Sequence, residues 1–272
     1  MANTPARQAA APGQVNPARM YDYFLGGQTN YEQDRAAGER LIAAKPDLVP
    51  NIRASRKFLE RAVTYLAAEA GVAQFLDIGT GIPAMNNTHE VAQRARPDAK
   101  IVYVDNDPMV LVHARALLRS APAGTVAYVE ADLRDPALIL AQAGAVLDFG
   151  APVAITLLGI LYMIRDSERP YDIVARLMAA TAAGSYLAIS HPASDVHADG
   201  AAAGAEQFAR ATGIAQTNRG RAEVAAFFDG LDLVDPGDGR HGIVTASQWR
   251  PRQEDHPGRQ LSVWAGVGRK SA

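Results

Sequence analysis

The sequence predicts an α/β protein: a mostly parallel sheet with helices on both faces, an antiparallel strand at one edge, and a helical cap at its N-terminal side. Three observations carry this. Five short apolar runs alternate with segments long enough to hold a helix. The first run ends in a glycine bend, Gly79-Thr80-Gly81. The next two lead into acidic residues, Asp105 and Asp132, which places chemistry at the ends of three consecutive strands.

The elements follow in order. Asn16-Pro17 reads as an N-cap with proline at the first helical position, and Gly26-Gly27 stops that helix. A second helix runs from about Tyr31 to Ala44 and ends before Pro46. A third starts near Pro50 and ends at Gly71, with Phe58, Leu59, Ala62, Val63 and Leu66 at helical spacing. Then the period changes. Gln74–Ile78, Lys100–Val104, Val126–Val129, Val153–Leu158 and Ser185–Ser190 are strand-length apolar runs. Between them, Asn87–Ala95, Pro108–Leu118, Asp135–Ala143 and Glu168–Ala180 are helix-length, which is the βαβ rhythm of a parallel sheet. Runs this apolar suit strands covered on both faces. Arg221–Phe228 reads as a helix leading into Leu231–Val234, and Leu261–Val267 pairs with the latter as an antiparallel edge. The expected division is a disordered leader at 1–15, a helical cap at 16–71, and a sheet-bearing core at 72–272 with an insert or lid near 193–217.

Bulk properties narrow the field. With 272 residues the chain can hold one large domain with added helices. Its 27 basic and 29 acidic residues leave a net charge of -2, so no broad basic field exists for nucleic acid. There is no cysteine, which excludes disulfides, thiolate metal sites and cysteine nucleophiles. Six histidines are scattered without ligand spacing, so no metal site is expected. No apolar run approaches a membrane span, and Met1 to Val15 lacks the pattern of a signal peptide. A cytoplasmic location and no membrane partner are the expectations.

The glycine bend lets backbone approach a ligand closely. Asp105 lies 24 residues beyond Gly81, near the spacing of a carboxylate that accepts from ribose hydroxyls. Its alternative is a cap for the helix at Pro108, a task that Asn106 or Asp107 can also perform. Asp132 can accept from an adenine amino group, with Leu133 against the ring, while Asp135-Pro136 starts the following helix. A dinucleotide site would want a third glycine three residues after Gly81, where Ala84 stands. Asn87 with Glu90 forms a later capping box, so the bend is long for a pyrophosphate and better suits a nucleoside with an amino acid tail. Asp77 can hold the ammonium of that tail.

The run Phe75–Pro83 with Asn87-Thr88-His89-Glu90-Val91 resembles a Rossmann-like S-adenosyl methyltransferase family common in actinomycetes, first described as a domain of unknown function. Asn16-Pro17-Ala18-Arg19-Met20-Tyr21-Asp22-Tyr23-Phe24-Leu25-Gly26-Gly27, Val104-Asp105-Asn106-Asp107-Pro108 and Asp132-Leu133-Arg134-Asp135-Pro136 extend the resemblance from Asn16 to about Val267. It implies S-adenosyl-L-methionine as cofactor, held at Asp77, Gly79, Gly81, Asp105 and Asp132. Thr80, Asn106, Leu133 and Tyr23 complete the expected contacts. It implies no particular acceptor. Two departures stand out: Pro83 where a third glycine is common, and Asn86 where this family is expected to carry glycine.

Methyl transfer is an in-line displacement, so placing the acceptor does much of the work, and a base is needed only if the acceptor loses its proton early. His191, after the fifth strand, is the first candidate base. Tyr21 and Tyr23 of the N-terminal motif, the latter sharing a helix face with Arg19, and Tyr162, after the fourth strand with Met163, are candidates to shape the acceptor site. His89 is a weaker catalytic candidate, and Arg53 and Arg56 read as a solvated face or a carboxylate clamp. The resulting expectation is a methyltransferase acting on an O or N atom of a small molecule; the alternative is a non-catalytic protein that binds the same cofactor. A nucleic-acid enzyme ranks last, because Leu157-Leu158-Gly159-Ile160-Leu161-Tyr162 lacks the Asn/Asp-Pro-Pro-aromatic run of amino-methylating DNA enzymes. The missing cysteine excludes a pyrimidine C5 mechanism.

Overall fold

The computed structural model describes residues 13–117, 120–252 and 260–271. The leader expected over 1–15 therefore lies outside the described residues as far as residue 12. Five parallel strands, β1 (Gln74–Ile78), β2 (Lys100–Asp105), β3 (Thr125–Glu130), β4 (Ala154–Leu158) and β5 (Tyr186–Pro192), are joined by three antiparallel ones, β6 (Leu231–Leu233), β7 (Val244–Thr245) and β8 (Val263–Lys270). Their order is β3-β2-β1-β4-β5-β8-β6, with β7 also on β8. The chain leaves β1 toward β2 and β3, then crosses back to β4 on the other side. That reversal opens a crevice at the carboxyl ends of β1 and β4.

The sequence expectations meet three differences. The third helix starts at Leu48, two residues before Pro50. Proline is accepted there because the first-turn N–H groups of a helix have no intrahelical partner. The fifth strand runs on through His191 and Pro192, pairing His191 with Trp264 of β8. The third is β7, which arises from what reads in sequence as polar connection; the expected antiparallel edge pair is β6 with β8, β8 lying between β5 and β6.

Every residue of β1 is buried, which explains its unbroken apolar character. Leu76, Ile78, Val102, Val104, Ile155 and Leu187 face one core, closed by α6 (Pro136–Ala143), α7 (Pro170–Ala179) and Phe227–Phe228 after α9 (Arg221–Ala225). Phe75, Ile101, Tyr103 and Ala188 face the other, beneath α3 (Leu48–Thr64), α4 (Thr88–Ala95) and α5 (Pro108–Leu117). A third apolar cluster joins Met20 and Phe24 of α1 (Pro17–Phe24), Ala37 and Leu41 of α2 (Glu32–Ala44), and Phe208 of α8 (Ala198–Thr212). Tyr162 and Met163 pack against it, so this cluster sits over the crevice. The helix expected in the 193–217 insert is α8, docked on the N-terminal helices. No helix among the described residues is long and apolar enough to cross a membrane.

Candidate active site

The bend after β1 is held by the neighbouring strand. Gly79 N–H donates to the Val104 carbonyl at 2.8 Å, and both Gly79 and Gly81 have positive φ, 79° and 65°. A Cβ on Gly79 would lie 2.6 Å from Ile160 Cγ1, whereas one on Gly81 would enter open space. The two glycines thus differ: the first allows close packing, the second leaves room for a ligand. Thr80 is turned inward, its hydroxyl 3.3 Å from the carbonyls of Asp77 and Val104.

Asp105 reaches across from β2. Its carboxylate accepts from Gly81 N–H at 2.9 Å and from Asp107 N–H at 3.0 Å. The cap of α5 falls to Asp107, which accepts from Met109 N–H at 2.9 Å and from the Asn16 side chain at 2.5 Å. Asp105 is thereby released from capping. Burial raises its pKa to about 6 despite those amides. At the end of β3, Asp132 accepts from Asn106 Nδ2 at 2.8 Å and from Arg134 N–H at 2.9 Å. Burial opposes its ionisation, but the Arg134 amide, Asn106 and the Arg134 guanidinium outweigh it and hold the carboxyl below its ordinary value. Arg134 itself is fixed by Glu168 and by the Met163 carbonyl. Asp135 caps α6 through Leu138 N–H at 3.1 Å, as its place before Pro136 suggests.

Three cavities meet along this rim. The most polar, about 390 Å³, is lined by Gly79, Asp105, Asn106, Asp132, Leu133 and Arg134. A second, about 120 Å³, holds Asp77, Thr80, Gly81 and Arg56 and shares Gly79, Asp105 and Asn106 with the first. A third, about 100 Å³ and mainly apolar, lies under α1, α2 and α8. Tyr21, Ser55, Gly159 and Tyr162 border both the second and the third. Asp77 is buried and accepts from Thr88 Oγ1 at 2.6 Å and Thr156 Oγ1 at 2.8 Å. Burial raises its pKa, with the two hydroxyls opposing.

The structure brings Asp77, Gly79, Thr80, Gly81, Asp105, Asn106, Asp132 and Leu133 together. Tyr23 is not among them. The helix face it shares with Arg19 is real, but that face meets α2: Arg19 pairs with Asp34 at 2.6 Å and the Tyr23 hydroxyl bonds Glu39. Tyr21, two residues earlier, faces the crevice instead. Tyr162 reaches the crevice as expected. His191 borders the apolar chamber, but its ring is fully committed. Nδ1 lies 2.9 Å from the Pro192 carbonyl and Nε2 lies 3.0 Å from Arg219 Nη1. Arginine only donates, so Nε2 accepts and Nδ1 carries the proton. No lone pair remains for a substrate proton, which argues against the general-base role. His89 is buried against Tyr103, away from all three cavities. Arg53 is exposed, whereas Arg56 donates to the Met85 carbonyl and to Asn87 Oδ1, pinning the loop beyond the bend. Asn86 adopts φ 58°, the left-handed conformation that asparagine tolerates better than other side chains. The loop therefore keeps a glycine-like path. Among the described residues no cluster of His, Asp or Glu could hold a metal ion.

Sequence reasoning missed Gly159, Ser55 and Lys45. Gly159 has φ 65° with open space where a Cβ would be, at the carboxyl end of β4 beside the crevice; its place after Leu157-Leu158 was the available signal.

Burial lowers the His191 pKa to about 3. An unfolded histidine titrates near 6.5, so the unfolded chain gains a proton first as the pH falls. Stability from this group is whole above about 6.5 and is lost below it, by about 2 kcal/mol at pH 5. The urea midpoint of a His191→Gln variant should fall less steeply between pH 7 and 5 than that of the wild type. Equal slopes would contradict this.

The sequence profile of a family described as S-adenosyl methyltransferase matches residues 4–271. A DUF574 family protein from Streptomyces avermitilis MA-4680 is 40% identical, with a TM-score of 0.89 over 94% of this chain and 98% of its own. A protein from Thermobifida fusca YX, named provisionally as a methyltransferase, is 38% identical, with a TM-score of 0.85 over 95% and 96%. An O-methyltransferase family protein from Burkholderia thailandensis shares the fold alone, at 14% identity and a TM-score of 0.51 over 78% of this chain and 55% of its own. No curated protein matches the chain significantly.

Proposed function

Because the chain belongs to the S-adenosyl methyltransferase family, we propose that its crevice holds the cofactor across the first two cavities and the methyl acceptor in the third. The protein is an S-adenosylmethionine-dependent methyltransferase. Asp105 takes the ribose, Asp132 and Leu133 the adenine, and Asp77 with the Gly79–Gly81 bend the amino acid tail. The fit rests on the open space at Gly81 and on two carboxylates along one rim. When bound, S-adenosylmethionine supplies a sulfonium methyl that an acceptor O or N atom can displace in line.

The observation that carries this reading is the shared border of Tyr21, Ser55, Gly159 and Tyr162 between the tail cavity and the apolar chamber. Neither tyrosine hydroxyl has a hydrogen-bond partner among the described residues, and burial raises both pKa values. They stay protonated at neutral pH and orient an acceptor rather than deprotonate it. With the His191 lone pair occupied, the acceptor atom brings a free lone pair with it, as a phenolate or a neutral amine does, and a methylated amine sheds its proton to bulk water after the product leaves. Residues 16–71 with the 193–217 insert act as a cap that excludes water from the apolar side, over a core of 72–272. The lack of a basic field favours a small acceptor over nucleic acid, and a cytoplasmic location belongs to the same reading.

Incubation with methyl-labelled S-adenosylmethionine and a panel of phenols and amines tests the reading. Label should pass to an oxygen or nitrogen of a small acceptor. A Tyr21→Phe, Tyr162→Phe double variant should transfer several-fold more slowly, in line with about 0.5–1.5 kcal/mol per lost hydrogen bond, with unchanged S-adenosylhomocysteine affinity. Label appearing only in RNA or protein, or an unaltered rate in the double variant, would contradict it.

A further inference from the structure

Lys45 ends α2 and borders the apolar chamber, yet it is only 4% exposed. The chamber it borders is walled largely by apolar side chains such as Met20, Phe24, Leu41 and Phe208, with Asn51, Gln216 and Ser262 also on its lining. Its methylene stem lies on α8 at Gly204, where a Cβ would come within 3.1 Å of Lys45 Cδ and 3.3 Å of its Cβ. Glycine at that point gives the stem its space. The ammonium has no hydrogen-bond or ion-pair partner among the described residues. Asp47 acts on it electrostatically, while one of its carboxylate oxygens accepts from Ser262 Oγ at 2.7 Å and Asn51 Nδ2 at 3.0 Å. An unpaired ammonium in such a place is costly unless something completes it.

We propose that the methyl acceptor is a small aromatic or apolar molecule bearing an anionic group, a carboxylate or its equivalent, and that Lys45 is the counter-ion that seats it. This rests on the acceptor reading of the chamber given above. The chamber has a largely apolar wall, one cation among the described residues that line it, and an opening at Tyr21, Ser55, Gly159 and Tyr162 toward the tail cavity. A molecule anchored by its charge at Lys45 presents its other end to that opening. At about 100 Å³ the chamber is smaller than the dry engineered cavity of about 150 Å³ that accepts benzene, so a single-ring acceptor fills it only by extending through the opening into the adjoining cavity of about 120 Å³. Burial lowers the Lys45 pKa, with Asp47 opposing, and an arriving anion acts in the same direction as Asp47.

The test uses the full chain saturated with S-adenosylhomocysteine and two probes of equal shape, phenylacetate and phenylacetamide. Calorimetry or ligand-observed NMR should show phenylacetate binding the wild type about tenfold more tightly than the amide, the effect of one charge-assisted contact. A Lys45→Met variant keeps the stem on Gly204 and should erase that preference while leaving S-adenosylhomocysteine affinity unchanged. An amide that binds as tightly as the acid to the wild type, or a preference that survives in Lys45→Met, overturns the proposal. The wild-type comparison decides alone if the variant does not fold. If S-adenosylhomocysteine binds but neither probe does, the chamber is not the acceptor site, and the reading of the chamber fails together with the proposal. If S-adenosylhomocysteine itself does not bind, the cofactor assignment fails first.

Discussion

Replacing Arg219 with methionine should cost about 2–5 kcal/mol of stability, because it strips donors from acceptors in the interior. Arg219 is 1% exposed. It donates to the carbonyls of Leu161 and Ile164, to His191 Nε2 and to Asp166, and its guanidinium lies over Phe227 at 5.5 Å from the ring centre. The Asp166 contact matters least, since that carboxylate is 67% exposed and screened by water. The Leu161 carbonyl keeps a bond from Ile164 N–H, but His191 Nε2 and the Ile164 carbonyl lose theirs. The segment so released carries Tyr162 and Met163, which border the crevice. Urea unfolding should show the lost stability, and methyl transfer should fall by more than cofactor affinity does. A variant as stable as the wild type would mean that Arg219 holds nothing in place.

Replacing Asp105 with alanine should weaken S-adenosylhomocysteine binding by about 1.5–3 kcal/mol, roughly ten- to a hundredfold, the worth of a charge-assisted hydrogen bond. In the wild type the affinity should also decline as the pH falls through about 6, where the buried carboxyl takes up its proton. The alanine variant should lose that dependence. Stability of the ligand-free protein moves the other way. A carboxyl whose pKa is raised by folding favours the folded state below its unfolded value and withdraws that support as the pH rises through about 6. The difference in urea midpoint between wild type and variant should therefore move in the wild type's favour as the pH falls from 7 to 5, while the variant binds worse. Unchanged affinity in a folded variant would remove Asp105 from the site.

The rim was legible in the sequence because its parts are local. A bend at Gly79–Gly81 and acids at strand ends occupy fixed places once the strands alternate with helices, and Asp107 and Asp135 declare themselves as caps by their distance from the prolines. What failed depends on which way a helix faces. Spacing correctly grouped Arg19 with Tyr23, but only the packing of α1 on α2 decides that this group meets Asp34 and Glu39, leaving Tyr21 to the crevice. His191 looks like a free base after a strand until the strand proves longer and Arg219, 28 residues away, claims its nitrogen. Lys45 gives no signal at all in sequence. A lysine before Pro46 is an ordinary helix end, and it becomes a buried cation only because α8 folds over it.

A crystal structure of the complex with S-adenosylhomocysteine tests the account most directly. The account predicts the ribose on Asp105, the adenine between Asp132 and Leu133, the amino acid tail over Gly79–Gly81, and the sulfur turned toward the opening between Tyr21 and Tyr162. A nucleoside bound in the apolar chamber beside Lys45, or one that touches neither Asp105 nor Asp132, would contradict it.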